Sequence, residues 1–471
     1  MGKEKLQDKE AIAHKALTIA RQQGISNIEI FIQSSDIIQF ACGSAVHIAG
    51  RRFYEQGIAI RILVNGNLGF VCGTAPGNLE KMIKNAYYQA RVQTSSDKNY
   101  GKGFPAEKEI DHETPSLTNI ISITGEDLED IAYEMTESTK LDPLAKTVES
   151  TAARIIEERL IVNSEGLIRD AKDAWITASN QTIVRRPTGE TGFGFESIRT
   201  RDLKSFDPVR IGSRSYASAM ILSNGNLISN REQERLRRAR RILWHPSALS
   251  QLLAYTLVPA IVRISQTSPE ANQDNKIEEI PFPCTFSVLD DPTKQELIPN
   301  YAFDDEGAST KKKTLISDGK IISRLSDYYP QIPGSGGNSY RVQYFSERFR
   351  SFRYNPTLSP AHLVLEYTKR KDSTNLVDQC SGVTIMVKRV IGAHVASPTT
   401  GDFAIDVAEG YLVRDRQIRY PIRKMSIAGN IYHLLKATRA VGAMETEQPF
   451  PSPFAITSPF ILTEKSGSLS F

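Results

Sequence analysis

Apolar positions open the chain at helical spacing: Ile12, Ala16, Ile19 and Ala20 recur before Gly24, a stripe that predicts a first helix. A strand, Ile28 to Ile32, follows. Gly57 to Val64 then alternates, with Ile58, Ile60 and Ile62 on one side. Asn65-Gly66 separates it from Leu68-Gly69-Phe70-Val71, and an Asn-Gly step between two apolar runs predicts a hairpin, because both residues tolerate positive φ. A second helix is expected from Asn78, a plausible cap, to Val92, with Leu79, Ile83, Ala86 and Ala90 buried. Residues 97–118 read as a long loop, and a third helix begins near Thr124 with Leu128, Ile131, Ala132 and Met135 on one face. Val148 to Ser205 reads as a strand meander that turns at Asn163-Ser164-Glu165-Gly166, and Gly192-Phe193-Gly194-Phe195 as a flexible, tight stretch.

Arg231 to Ile242 is a basic helical segment whose Leu236, Ala239 and Leu243 give it an apolar side. It reads as the connection between two halves rather than as a nucleic-acid contact. A helix from Ser247 to Ile261 opens the second half. After it come short strands at Thr285–Leu289, Thr314–Ser317, Val383–Val390 and Gly410–Val413. The expected fold class is α+β: an N-terminal sheet-plus-helices domain over residues 1–230, a β-rich C-terminal domain over 231–447, and a Ser/Pro-rich tail over 448–471.

At 471 residues the chain is long for one core, and 40% hydrophobic with 24% charged residues is a globular composition. Its 58 basic and 54 acidic residues nearly balance, so no overall field for nucleic acid or membrane is expected. Cys42, Cys72, Cys284 and Cys380 are scattered, as in a reducing compartment, and the polar N-terminus carries no apolar signal segment. Leu252 to Val262 is too short to span a membrane and contains Pro259, so a cytoplasmic location is expected.

Hydrolytic chemistry needs an activated water or nucleophile. The seven histidines (His14, His47, His112, His245, His362, His394 and His433) never fall within one helical turn of each other. His112-Glu113 runs into Thr114-Pro115, which denies it a helix for a second ligand. No nucleophile-elbow or catalytic-cysteine pattern occurs. Ser335, in Gly334-Ser335-Gly336-Gly337, lies in a loop that does not match a Walker sequence and reads as a mobile surface loop. Two acidic clusters remain, Asp290-Asp291-Pro292 and Asp304-Asp305-Glu306-Gly307. They can be turns that satisfy backbone N–H groups, or a site for a hard cation.

Val288-Leu289-Asp290-Asp291-Pro292, followed by Tyr301-Ala302-Phe303-Asp304-Asp305-Glu306-Gly307, resembles the DDP…FDDEG core of the TldD/PmbA family. Thr314 to Lys320, Thr400-Gly401-Asp402-Phe403, Ser426-Ile427-Ala428-Gly429-Asn430, Ile60-Arg61-Ile62-Leu63 with Gly69-Phe70, and Leu160 to Gly166 resemble further motifs of that family, in the right order from about residue 10 to 445. The resemblance implies a peptidase family whose catalytic members place His-Glu-x-x-x-His on a helix early in the second domain and add a later Cys as a zinc ligand. Here the corresponding segment, Gln251 to Leu257, has neither His nor Glu, and Cys380 is not in the family's cysteine motif.

On that resemblance the chain is similar to the PmbA/TldE type, the partner without zinc in a heterodimer with a TldD-like, zinc-bearing subunit. No cofactor is expected in this chain. The substrate implied is an extended, unfolded or leader peptide bound as an added strand. Asp304, Asp305, Glu306, Gly307, Gly401, Asp402, Phe403, Gly429 and Asn430 are the expected peptide-binding or interface residues, and no catalytic or metal residue is assigned. Two other readings fit the same residues: a self-sufficient hydrolase using the acidic clusters with a hard metal, and a homodimer that binds peptides without cleaving them. Departures from the family pattern include His245-Pro246 where Asp-Pro is usual.

Overall fold

The structure is a computed structural model. It describes residues 2–464, apart from 45–48, 75–76, 94–102, 107–115, 141, 224–235, 237–238, 267–279, 294–297, 299–301, 331–333, 343–349, 369–375, 381, 423–424 and 448–452. His112 and most of the basic segment 231–242 lie outside the described residues.

The first half is one antiparallel sheet of six strands: β1 (Ile28–Cys42), β2 (Ala49–Val64), β3 (Asn67–Thr74), β4 (Ala145–Asn163), β5 (Ile168–Arg185) and β6 (Thr191–Thr200), in the order β3-β2-β1-β4-β5-β6. Asn65 and Gly66, both at positive φ, make the β2–β3 turn. Among the described residues five helices accompany it: α1 (Gly2–Gln22), α2 (Leu79–Val92), α3 (Thr118–Ile121), α4 (Gly125–Glu137) and α5 (Pro208–Ser223). The Asn78 side chain caps α2, and Thr124 with Asp127 forms a capping box on α4.

Period-two alternation gives this sheet two buried faces. Ile30, Ile32, Ile58, Ile60 and Ile62 pack under α1 and α2. The alternate positions, Phe31 on β1 and Ala59 on β2, pack with Phe303 and Phe352 from the second half. Glu29 and Arg61 share that face, directly opposite each other in the β1–β2 register.

The second half is built on an 11-stranded mixed sheet. In chain order its elements are β7 (Arg241–Trp244), α6 (Pro246–Tyr255), α7 (Leu257–Gln266), β8 (Phe286–Asp290), β9 (Lys313–Ser317), β10 (Lys320–Ile321), β11 (Ser339–Tyr340), β12 (Thr357–Leu358), β13 (His362–Tyr367), β14 (Val383–Ile391), β15 (Asp402–Arg414), β16 (Gln417–Ile422), β17 (Ser426–Asn430), α8 (Ile431–Lys436), β18 (Thr438–Glu447) and β19 (Ala455–Glu464). The sheet runs β10-β9-β8-β13-β19-β7-β14-β15-β16, with β17 beside β15 and β18 beside β19, while β11 and β12 pair separately. The architecture is α+β, with a β-rich C-terminal region.

Four expectations are corrected. The single helix over Ser247–Ile261 is two helices that break at Thr256. Pro259 has no N–H for the Tyr255 carbonyl, and its ring would crowd that group. Pro246–Gln266 is apolar and long enough to cross a membrane by length and composition, but 78% of its window is buried inside the protein. The expected Ser/Pro-rich tail contains β19, which lies between β13 and β7 with Ile456, Ile461 and Leu462 buried, so its apolar residues outweigh its turn formers. Arg241 and Ile242, read as the end of a helix, start a strand that pairs with β14 and β19.

Gly192-Phe193-Gly194-Phe195 is regular strand rather than a loose segment, and its glycines let α5 approach: a Cβ at Gly194 would lie 1.8 Å from the Ser215 carbonyl oxygen. Gly69 does the same for α2, since its Cβ would lie 1.8 Å from the Ala86 carbonyl oxygen. Gly69→Val is expected to lower stability by at least ~2 kcal/mol, because helix and strand must separate to admit the side chain. A urea-unfolding midpoint equal to that of the unaltered protein contradicts this packing.

Candidate functional site

The acidic residues singled out by the sequence form a buried knot between the two halves. Asp304 is fully buried and accepts four backbone N–H groups: Glu306 and Ala308 on Oδ1, Gly337 and Ser339 on Oδ2. Burial and the Glu306 carboxylate raise its pKa, while the four donors favour the ionised form. Ser335 bonds to the Tyr329 backbone, so the Gly-Ser-Gly-Gly segment is a formed turn around the Asp304 carboxylate and not a mobile loop.

Asp305 accepts from Arg159 Nη1 at 3.0 Å, from Arg350 Nε at 2.7 Å and from the Arg341 backbone at 2.7 Å. Burial alone would raise its pKa, but Arg350 and Arg159 outweigh that and hold it below the usual carboxylate range. Glu306 accepts from Arg61 Nη1 and from the Tyr328 N–H. Arg61 also grips Glu29, which takes a further bond from Arg341 Nη2 at 2.8 Å. Gly307, at φ +85°, leaves room for Leu167 of the first half.

Asp290 is also saturated: Ala361 and His362 N–H groups donate to Oδ1 and Asn338 Nδ2 to Oδ2, and burial pushes its pKa up to about 6. Asp291 accepts from Thr293 and pairs with Lys312 at 3.5 Å. Asp304, Asp305 and Glu306 are buried and spend their lone pairs on backbone N–H groups and arginines, Asp290 on two backbone N–H groups and Asn338, and Asp291 on Thr293 and Lys312.

The second expected group is a helix cap. Asp402 pairs with Asn430, and Phe403 with Gly429, where β15 meets β17. Asn430 Oδ1 accepts from Tyr432 and His433 N–H at the start of α8, while its Nδ2 donates to Asp402 and to the Thr400 carbonyl at 2.8 Å each. Gly401, at φ +80°, lies where a Cβ would meet the Tyr432 ring at 2.5 Å. Phe403 is buried edge-on to Trp244. Asp402 is exposed, but it is committed to the Asn430 and Thr400 side chains.

A cleft of about 440 Å³ opens where α5 and β6 of the first half meet the start of α6, β14 and β18. At its base, Glu409 is fully buried and accepts from Ser218, Lys388, Arg389 and Tyr411. Burial would raise its pKa, but Arg389 and Lys388 hold it low. At its mouth stand His245, Glu445 and Glu447, whose nitrogen and oxygen atoms lie within 4.8 Å of one another.

His245 Nδ1 accepts the Ser247 N–H at 3.1 Å and so caps α6, the task an Asp performs in the usual Asp-Pro pattern. Burial, then Lys388, pull its pKa down to about 4, so the ring is neutral at pH 7 and its proton sits on Nε2, 3.7 Å from Glu445. Burial, then Glu445 and Glu196, push Glu447 up to about 7. Sequence reasoning missed this cleft. The signals available were the His-Pro departure and the alternation of Glu445 and Glu447, which sends both carboxyls to one side of β18.

Zinc does not fit these residues. The ring nitrogen facing the carboxylates carries the proton, and moving it to Nδ1 would destroy the cap. Helix α6 turns Ser247 and Gln251 toward the cleft and has no His or Glu in its sequence.

Two outcomes are expected. Asp305→Ala leaves Arg159 and Arg350 buried without their counter-ion and lowers stability by ~3–5 kcal/mol in chemical denaturation; a variant of unchanged stability contradicts the knot. Glu447 has a folded pKa above its ordinary 4.5, so its protonated form is favoured by folding. That contribution is complete below about pH 4.5 and is lost as pH rises through about 7. Glu447→Gln is therefore expected to raise Tm at pH 8 by ~1–2 °C and to change little at pH 4.5; equal shifts at both pH values contradict it.

Residues 238–466 match the PmbA/TldA metallopeptidase C-terminal domain. An uncharacterized protein of Methanocaldococcus jannaschii is 24% identical over 442 residues, covering 94% of this chain and 97% of that one. A protein of Archaeoglobus fulgidus named a metalloprotease is 25% identical over 169 residues, 35% of this chain and 36% of its own length. The fold is similar to that of TldE from Thermococcus kodakarensis, with a TM-score of 0.75 at 20% identity over 97% of this chain and 98% of that one. A proposed modulator of DNA gyrase from Thermotoga maritima also gives a TM-score of 0.75, at 18% identity over the same shares. With the fold, the C-terminal domain match and the ordered motifs in agreement, the chain belongs to the TldD/PmbA family.

Proposed function

We propose that this chain is the partner subunit without zinc of a two-chain cytoplasmic metallopeptidase, and that it helps hold an extended, unfolded or leader peptide while a TldD-like subunit supplies the metal and the activated water. The observation that carries this reading is α6. Where the family's peptidases have a His-Glu-x-x-x-His helix, this one runs from Pro246 to Tyr255 with Ser247 and Gln251 on the cleft and its other side chains packed into the core.

The cleft supports the peptide half of the reading. Among the described residues, β18 pairs on one side only, with β19, and β6 only with β5. The β7 ladder on β14 ends at Val387, while β14 continues to Ile391. Strand edges of this kind carry unpaired N–H and C=O groups, which an extended backbone can complete whatever its side chains. The likeness to TldE favours a heterodimer over a homodimer.

The test is a peptidase assay with an unstructured peptide, run with the chain alone, with a His-Glu-x-x-x-His relative alone, and with both. Cleavage is expected at full rate only with both chains present. Cleavage by this chain alone that a chelator abolishes contradicts the division of labour, and peptide binding with no gain from any such relative would favour a non-cleaving homodimer.

A further inference from the structure

One acid on the covered face of the first sheet stands outside the knot. Ile155, Glu157 and Arg159 alternate along β4 and so point to the same side. Ile155 packs against the cluster that holds Tyr340, Val342 and Ala361, and Arg159 pairs with Asp305, so this is the side that the second half covers. Glu157 lies between them, partly buried. Among the described residues no group donates a hydrogen bond to it, whereas Glu29, Asp305 and Glu306 in the same seam each take several donors.

The charges around Glu157 come from both halves. In the β4–β5 register Asp173 stands directly opposite it, a placement in which like charges repel. On its other flank the β1 partner is Ser35, which carries no charge. Asp305 and Arg350 act on it from the second half, and Arg159 from its own strand. Each nearby cation is held by another acid: Arg159 and Arg350 by Asp305, and Arg201, just past β6, by Asp173. Burial, then Asp173 and Asp305, outweigh Arg350 and Arg159 and push the Glu157 carboxyl up to about 7.

We propose that Glu157 makes the seam between the two halves pH-sensitive: neutral, it is accommodated beneath the second half; ionised, it repels Asp173 and Asp305 with no donor of its own and loosens the knot. Its folded pKa lies above its ordinary 4.5, so folding favours the protonated form. The stability this contributes is complete below about pH 4.5 and is lost as pH rises through about 7. The seam is therefore tighter at mildly acidic pH than at pH 8. Nothing in this device depends on what the cleft binds.

The knot's own amides report on the seam. Those of Ala308, Gly337 and Ser339 are held by Asp304, and that of Arg341 by Asp305. The experiment follows their hydrogen exchange in the full chain at pH 5.5 and pH 8, corrected for the intrinsic rate at each pH. They are expected to be at least ~10-fold less protected at pH 8, while the amides of α2, on the opposite face of the first sheet, keep their protection. Glu157→Gln, uncharged at both pH values, is expected to abolish the difference. Its melting temperature at pH 5.5 reports its fold, and Glu157→Met serves the same test should Gln disturb the packing. Equal protection of the knot amides at both pH values overturns the device. So does a loss of protection that α2 shares equally, or one that persists in the variants.

Discussion

The Arg61 guanidinium, buried between Glu29 of its own sheet and Glu306 of the other half, is the contact on which the arrangement of this molecule turns. Neither carboxylate can be left there without its cation, nor the cation without both carboxylates, because an unpaired charge in such a place costs several kcal/mol. Arg341 joins Glu29 through its guanidinium and Asp305 through its backbone N–H, and Arg159 and Arg350 pair with Asp305, so three acids and four arginines bind the faces together in one fixed register. A hydrophobic face alone would tolerate sliding; ion pairs at 2.7–3.0 Å do not. That fixed register sets α5 and β6 against α6 and β18, and hence the shape of the cleft.

The chain thus uses carboxylates in two ways. In the knot and under the cleft they are saturated, and they act as mortar: Asp304 gathers four backbone N–H groups and Glu409 ties α5 to β14 and β15. Beside the cleft Glu445 is exposed and Glu447 partly buried, and burial, then Glu445 and Glu196, push the Glu447 carboxyl up to about 7. His245 belongs with the mortar. Its imidazole substitutes for a capping carboxylate at α6, which keeps a negative charge away from Glu445 and Glu447.

Much of the first half was legible because its signals are local. The Asn65-Gly66 turn, the Asn78 cap and the Thr124 start need only neighbouring residues to be read. The alternation of Ile58, Ile60 and Ile62 announced a strand with one apolar face, but gave no hint that Gly57, Ala59 and Arg61 are buried on the other, because their partners lie some 250–300 positions away. The same distance hid the cleft: His245, Glu196 and Glu447 meet only through the folding of both sheets. The acidic segment drew notice for its composition, yet composition does not tell a carboxylate that waits for a ligand from one that already holds four N–H groups. The 455–464 segment was misjudged because Ser and Pro near it outweighed the apolar spacing that places it between two strands.

In the proposed division of labour this chain's cleft seats a peptide but no catalytic metal. Elemental analysis of the purified full chain, after incubation with excess zinc and exhaustive dialysis, decides it. Far less than one zinc per chain is expected, with no change on His245→Asn or Glu445→Gln. One tightly held zinc per chain that either substitution removes would contradict it.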